Sequence, residues 1–235
     1  RRAWEDGIQC IVATPHDGDL PAGDRRQLIV EQVSLVNAAI QAAGIGVTVL
    51  PGLEVQIAPH LCRQIERGEG TPLAGSHYIL LELPFAAYPL YTDQTVFDLQ
   101  LMGMGVLLAH PERNARLVAQ PELLRPLAER GVLAQVTAGS ILGHFGVETQ
   151  RAARYMLRHG LAQVIASDAH DEVGRPPALS AAVLLAGEWI GEEAAAAMAS
   201  DTPRALLNDE VIELPDTPAP KRTSVWDRLW PARRR

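Results

Sequence analysis

The feature that most constrains the fold of this chain is an alternation of short apolar runs with longer amphipathic runs. It begins with GIQCIVATPH, DRRQLIVEQVSLVNAAIQAAG, VTVLPGLEV, APHLCRQIERG and SHYILLELPF, and it continues as far as LAQVIASDAH. Apolar runs that alternate with helical runs of about ten or more residues indicate right-handed βαβ crossovers and a parallel sheet. Six such strand-helix units can be counted, and we therefore predict an α/β fold.

Glycine, proline and a change of composition mark the predicted ends of the helices and of the domain. Glycine, which commonly supplies the positive φ that ends a helix, follows four of the helical runs, at Gly44, Gly103, Gly131 and Gly160. A helix is predicted near 177–190, and a terminal helix over 193–208 is predicted to break or kink at Pro203. Beyond this the chain becomes Pro-rich and then basic, which favours a domain over 1–214 and a flexible tail over 215–235.

Composition limits the classes of protein to which the chain can belong. Its 235 residues, 47% of them apolar, can bury one large α/β core. Two cysteines, Cys10 and Cys62, are too few for a disulfide framework, which favours a cytoplasmic setting. A net charge of −7 provides no basic face for nucleic acid. No apolar run reaches the roughly 18 residues of a membrane span, and the first ten residues lack the apolar core of a signal peptide.

Polar side chains stand where the predicted strands stop. These residues are His16, Glu54, Glu82, His110, the pair Thr137 and Ser140, and Asp168 with His170. Since the carboxyl ends of parallel strands form one face, six nitrogen and oxygen ligands would surround one cavity. In Asp168-Ala-His170 the first and third side chains point the same way on an extended segment. Imidazole and carboxylate without thiolate suit Mn, Fe or Zn, which predicts a polynuclear metal site.

Each of these residues also has a structural interpretation. A lone histidine at a strand end is more often a hydrogen-bonded residue than a ligand, and a buried glutamate is often salt-bridged. The coincidence of all six residues at one position of the repeat favours the metal site. Thr137 and Ser140 are predicted to be helix caps. The remaining histidines are predicted to be ordinary surface or core residues: His60, His77, His144 and His159.

Two arginines follow the predicted ligands, Arg113 in AHPERN and Arg175 in GRPP. A guanidinium group matches the oxygens of a phosphoryl group, and both arginines fall on the face that the strand ends define. Structural salt bridges are the alternative, with Glu112 as a partner for Arg113. We favour a role for both arginines in catalysis and in binding a substrate phosphate.

The motifs ATPH, PGLEV, LLELPF, AHPERN, QVTAGSILGHFG and ASDAHDEVGRPP resemble those of the bacterial CpsB/CapC-type protein-tyrosine phosphatases. These are metal-dependent enzymes of the polymerase-and-histidinol-phosphatase (PHP) superfamily, encoded in capsule and exopolysaccharide clusters. The resemblance runs from about Gly7 to Asn208, with the motifs in order. It implies a PHP-type distorted (β/α)7 TIM-like barrel with a trinuclear centre of divalent ions, Mn or alternatively Fe or Zn.

The resemblance also implies a role for each strand-end residue. His16 with His170 would bind one outer metal, Glu54 would bridge, Glu82 with His110 would bind a second metal, and Asp168 would bind the remaining ion. Arg113 and Arg175 would hold the substrate phosphate. Family members open with a strand that carries His-x-His, and nothing before His16 supplies it. We therefore expect a barrel without its first strand, in a chain that is truncated or has an incomplete first metal site.

The expected reaction is hydrolysis of a phosphotyrosine monoester by a hydroxide that divalent ions generate from water. A cysteine-based route needs Arg six residues after the nucleophile, whereas His16 and Gly68 stand at that distance from Cys10 and Cys62. The resemblance implies a phosphotyrosine protein as the partner, an autophosphorylating bacterial tyrosine kinase of polysaccharide export. A homo-oligomer is compatible with the chain.

Two alternatives stay open. A PHP-family phosphoesterase acting on a small phosphate ester such as histidinol phosphate would use the same metals, so the metal motifs do not separate the substrates. A binding or scaffold protein could keep the barrel and lose catalysis together with the first metal. A His-x-His strand would favour an enzyme, and an open site that admits a peptide would favour the tyrosine phosphatase.

Overall fold

Parallel strands form the centre of the computed structural model, which describes residues 1–21, 24–210 and 212. The described residues form seven strands: β1 (Cys10–Ala13), β2 (Thr48–Pro51), β3 (Glu54–Gln56), β4 (Tyr78–Glu82), β5 (Gly105–Ala109), β6 (Leu133–Thr137) and β7 (Val164–Ala166). β1 pairs with β2, and a five-stranded sheet has the order β3-β4-β5-β6-β7. Every pairing is parallel, which confirms the predicted α/β class. The predicted tail over 215–235 lies outside the described residues.

Helices and short 3₁₀ turns connect the strands. The helices within the described residues are α1 (Arg2–Glu5), α2 (Arg25–Ala42), α3 (Leu61–Glu66), α4 (Thr92–Leu101), α5 (Ala115–Ala119), α6 (Arg125–Ala128), α7 (Ala138–Ile141), α8 (Val147–Arg158), α9 (Ser180–Ile190), α10 (Glu192–Ala199) and α11 (Asp201–Leu207). The four glycines predicted to end helices all have positive φ. None of the helices in this part of the chain is long and apolar enough to cross a membrane.

The sheet has apolar residues on both faces, as parallel strands between helices require. Alternate residues of a strand point to opposite faces, so Leu81 and Leu108 lie in one core cluster. Their neighbours Leu80 and Leu107 lie in a second, smaller cluster. The strands therefore read as near-continuous apolar runs in the sequence, and apart from Gln135 in β6 their polar residues stand at the strand ends.

The run VTVLPGLEV is predicted to be a single strand that ends at Glu54, and this prediction is wrong. It splits into β2, which pairs with β1, and β3, which pairs with β4. A Cβ on Gly52 would lie 2.9 Å from Val12 Cγ1, so the bend needs glycine where the chain passes close to β1. Glu54 therefore begins a strand rather than ending one. It also forms a parallel bridge with His16, which joins the two sheets.

The prediction that Pro203 breaks the terminal helix is wrong. The break lies at Ser200, where φ of −134° and ψ of −67° separate α10 from α11. Pro203 lies within the first turn of α11, where a backbone N–H has no partner within the helix and proline is tolerated. The helix predicted near 177–190 begins at Ser180, and the Asp6 carboxylate accepts hydrogen bonds from the backbone N–H groups of Leu179 and Ser180.

Asn37 of α2 supports β2, and its loss is expected to destabilise the protein. Its side-chain amide donates to Val49 O at 2.8 Å and accepts from Val49 N at 2.8 Å. Asn37→Ala leaves both partly buried backbone groups without this partner, so we expect the free energy of unfolding to fall by about 1–3 kcal/mol. Urea denaturation followed by circular dichroism measures the change. Ser34→Ala, an exposed position on the same helix, is the control and should stay within about 0.5 kcal/mol of the parent. Equal stability of the two variants would contradict the role of Asn37.

Candidate metal centre

Three predicted ligands from three different segments lie close together. His16 follows β1, Glu54 begins β3 and Glu82 ends β4. One ligand atom from each lies within 4.8 Å of the others. Both glutamates are buried, with exposed fractions of 4% for Glu54 and 7% for Glu82. The parallel bridge between His16 and Glu54 brings the first two side chains into register.

His110 adds a fourth donor from the end of β5. Its Nε2 lies 3.0 Å from Glu54 Oε1 and 3.6 Å from Glu82 Oε1. The backbone of His110 is left-handed, with φ of 31° and ψ of 53°. A non-glycine residue in this region is strained, and such strain concentrates at functional sites because the surrounding structure must maintain it. The left-handed turn ends β5 and leaves the imidazole, which is buried, against both carboxylates.

The electrostatics of this group favour a bound cation. Burial, and next the charge of Glu54, raise the pKa of Glu82 above its usual range. Burial alone would lower the pKa of His110, but the hydrogen bond and charge of Glu54 raise it overall. In the described part of the chain, His110 supplies the ion pairs of both glutamates, and no lysine or arginine nitrogen lies within 4.0 Å of them. Two buried carboxylates beside imidazoles form a nitrogen and oxygen donor set that fits a divalent transition-metal ion.

His170 and Asp168 extend the cluster from the segment after β7. The imidazole rings of His16 and His170 lie 5.5 Å apart, and His170 Nδ1 lies 3.7 Å from Asp168 Oδ1. Asp168, like His110, has a left-handed backbone, with φ of 48°. The structure therefore brings all six predicted ligands into one continuous group.

The two predicted phosphate-binding arginines converge on Asp168. Arg113 Nη1 lies 2.9 Å from Asp168 Oδ2, and Arg175 Nη2 contacts the same oxygen. The partner of Arg113 is therefore Asp168 and not Glu112. Both arginines keep donors that Asp168 does not use, since a guanidinium group carries five N–H groups. The geometry contains both features that the sequence left as alternatives, a salt bridge and cationic groups beside the candidate metal ligands.

A tight loop returns Arg175 to Asp168. Asp171 Oδ1 accepts hydrogen bonds from the backbone N–H groups of Val173, Gly174 and Arg175, and these bonds lower the pKa of Asp171. The His170 N–H donates to Arg175 O at 2.9 Å. The sequence ASDAHDEVGRPP thus folds so that its first acid and its arginine meet.

Two phenylalanines lie against the arginines. The Arg113 guanidinium carbon lies 4.7 Å from the Phe85 ring centre and 4.4 Å from the Phe145 ring centre. Arg175 lies 5.7 Å from Phe145. A Cβ on Gly139 would lie 2.8 Å from the Phe145 ring, so glycine leaves room for that ring. The sequence analysis does not single out either phenylalanine; the available signal was their position within the motifs LLELPF and QVTAGSILGHFG.

Glu112, the alternative partner for Arg113 in the sequence, has another role. It is fully buried, and its Oε1 accepts from the backbone N–H and the hydroxyl of Thr137, at 2.9 and 3.0 Å. Burial raises the pKa of Glu112, while hydrogen bonds from Ser140 and Thr137 oppose that shift. Thr137 caps α7 through Ser140 N, as predicted, whereas the prediction for Ser140 is wrong because Ser140 lies within α7. Glu112 therefore ties the segment after His110 to the end of β6.

The four histidines predicted to be ordinary residues make no hydrogen bond or ion pair with the described site residues. His77 pairs with Asp209 at 2.6 Å, and His159 stacks on Tyr155 with ring centres 3.9 Å apart. His60 precedes α3, and the His144 N–H donates to Gly139 O. These contacts are structural, which agrees with the prediction.

Comparisons with known proteins agree with this architecture. A family model described as capsular polysaccharide synthesis, CpsB/CapC, matches residues 1–208. The tyrosine-protein phosphatase YwqE of Bacillus subtilis is 30% identical over 94% of this chain and 87% of its own. A putative tyrosine-protein phosphatase CapC of Staphylococcus aureus is 32% identical over 75% of this chain and 69% of its own. The tyrosine-protein phosphatase CpsB of Streptococcus pneumoniae is 23% identical over 89% and 88%.

A solved structure shows the same fold. A chain from the crystal structures of YwqE from Bacillus subtilis and CpsB from Streptococcus pneumoniae, described as unique metal-dependent tyrosine phosphatases, superposes with a TM-score of 0.84. It is 30% identical, and the match covers 91% of this chain and 86% of that one. A family match of this extent, together with 30% identity across nearly the whole chain, shows that this chain belongs to the CpsB/CapC family of capsular polysaccharide synthesis.

Proposed function

We propose that this chain is a metal-dependent protein-tyrosine phosphatase that hydrolyses phosphotyrosine. The observation that carries the proposal is a buried acidic group that lies beside a pair of arginines, with the Phe85 ring in contact with both His110 and Arg113. Glu54, Glu82 and His110 form a buried group that lacks cationic side-chain partners in the described residues, and Asp168 links a neighbouring group to Arg113 and Arg175. A divalent cation and a phosphoryl group are the ligands that satisfy both. The names of the relatives, tyrosine-protein phosphatases, support the same activity.

The resemblance to the CpsB/CapC-type phosphatases implies which residues would hold the metal ions. His16 with His170 would bind one ion, Glu54 would bridge, Glu82 with His110 would bind a second ion, and Asp168 would bind the remaining one. The nitrogen and oxygen donors suit Mn, with Fe or Zn as alternatives. Divalent ions in such a site lower the pKa of water enough to supply hydroxide near neutral pH, and they act as Lewis acids toward phosphoryl oxygens.

Asp168 would serve two groups at once. Its Oδ2 receives both arginines, whereas its Oδ1 faces His170 Nδ1 at 3.7 Å. One oxygen would therefore orient the cationic side chains while the other remains available as a ligand. Arg113 is further held between Phe85 and Phe145, so its guanidinium group is positioned before a substrate arrives. Such preorganised donors stabilise the charge that develops on the phosphoryl oxygens during in-line displacement.

We interpret the strands as an arc of a PHP-type distorted (β/α)7 barrel. The sheet formed by β1 and β2 and the sheet from β3 to β7 are joined by the bridge between His16 and Glu54. Side chains of β4, β5, β6 and β7 meet in a shared core cluster that Val12 of β1 also contacts, as in the interior of a barrel. We assign this domain to residues 1–214.

The partner that fits a family of capsular polysaccharide synthesis is a bacterial tyrosine kinase of polysaccharide export, dephosphorylated on its tyrosines. We place the protein in the cytoplasm, because Cys10 and Cys62 are both free thiols.

The proposed activity predicts phosphate release from a phosphotyrosine peptide that needs both metal and His110. With Mn²⁺ added we expect release, and with EDTA none. His110→Ala should lower the rate by about 100-fold because it removes a buried donor from the metal site. Colorimetric detection of inorganic phosphate measures each rate. His159→Ala, which removes a histidine outside the cluster, is the matched control. Release that survives EDTA would contradict the proposal, and release from histidinol phosphate alone would favour the small-ester phosphoesterase.

The arginine pair predicts a loss of catalytic efficiency that is separate from any loss of metal binding. Arg113→Ala removes a cationic group that would bind phosphate, and kcat/KM for a phosphotyrosine peptide should fall by about 10- to 100-fold, the usual effect of losing a charged hydrogen bond. Manganese binding, measured by calorimetry, should persist because the glutamate cluster is intact. Arg116→Ala makes the same charge change at an exposed position and should keep kcat/KM within about twofold. An equal kcat/KM in the two variants would exclude phosphate binding by Arg113.

A further inference from the structure

An exposed aromatic ring stands between the candidate metal ligands and the arginines. We propose that Phe85 determines substrate specificity by receiving the aryl group of the phosphate ester, an inference that rests on the proposed function. The Phe85 ring stacks on the His110 ring at 5.5 Å and 18°, and it lies 4.7 Å from the Arg113 guanidinium carbon. It therefore contacts one residue of each functional group.

The exposure of Phe85 leaves part of the ring available to a ligand. Its exposed fraction is 48% even though it contacts both His110 and Arg113. Covering a large apolar side chain lowers the free energy of the system. An exposed ring beside a polar site is therefore suited to contact an apolar part of the ligand. In an aryl phosphate the ring is attached directly to the ester oxygen. A phosphate bound at Arg113 would thus place the aryl group of its ester next to Phe85.

Hydrogen bonds from Asn114 and Ala115 hold the loop that carries Phe85 in place. Asn114, which is buried, donates through Nδ2 to Pro84 O at 2.7 Å and to Ala87 O at 2.8 Å. The Ala115 N–H donates to Phe85 O at 2.7 Å. These bonds tie the loop to the turn that follows His110 and Arg113. A ring that is fixed before binding loses little conformational freedom when a ligand covers it.

Phe145 differs from Phe85 in its surroundings. It is half-buried, and it lies against both Arg113 and Arg175. Its ring therefore contacts both arginines, whereas about half of the Phe85 side chain is exposed to solvent. Phe85 is the aromatic residue of the pair that can contact a substrate ring.

The test compares aryl and alkyl phosphates on the Mn²⁺-loaded protein. In Phe85→Leu, which stays apolar, we expect the ratio of kcat/KM for phenyl phosphate over ethyl phosphate to fall about three- to tenfold, the value of a lost aromatic pair. Phe85→Tyr should keep the ratio within about twofold of the parent. Phe97→Leu is the matched control, because Phe97 is 46% exposed and lies 5.6 Å from Arg130. Its ratio should not change.

Binding supplies a second measurement that does not depend on turnover. Calorimetry should show that Phe85→Leu weakens the binding of phenylphosphonate three- to tenfold more than that of methylphosphonate, by about the same aromatic contribution. Parallel losses for both phosphonates would overturn the proposal and leave Phe85 as a support for His110 and Arg113. An unchanged ratio would also overturn it. A parent protein that discriminates between the phosphonates without hydrolysing phenyl phosphate would contradict the proposed function alone.

Discussion

The close approach of two buried carboxylates, Glu54 and Glu82, is the interaction on which the rest of the site depends. Burial, and next the charge of Glu54, disfavour the charged form of Glu82 and raise its pKa. His110 relieves part of the cost through its contacts with both acids. A divalent ion bound to the folded protein would relieve more, and metal binding would then also stabilise the fold at this edge.

Asp168 divides the cluster into two parts with different ligands. On one side the carboxylates and imidazoles can bind a cation. On the other side Arg113 and Arg175, which contact Asp168, can bind an anion. The parallel sheet produces this arrangement because all its strands end at one edge. Left-handed backbones at His110 and Asp168 then turn two strand ends into the cluster, at a local cost that the surrounding packing must offset.

Much of this could be predicted from the sequence because the signals are local. Apolar runs mark the strands, and polar residues such as Glu82 and His110 at their ends share one edge of a parallel sheet. The errors at Glu54 and Arg113 came from tertiary contacts. The bend at Gly52 depends on the closeness of Val12, and the pairing of Asp168 with the arginines depends on the loop over 168–175. Phe85 lay outside the prediction because hydrophobic periodicity carries no information about a single exposed ring.

The most direct test of the metal centre is anomalous diffraction from crystals of this protein soaked in Mn²⁺. We predict an anomalous peak within coordinating distance of His16, Glu54 and Glu82, the three residues whose ligand atoms already lie within 4.8 Å of one another. Crystals of Glu82→Gln should show a weaker peak at that position, because one carboxylate charge is gone. Density that keeps the contact between His110 and Glu54 with no anomalous peak beside them would show that these residues do not bind the metal.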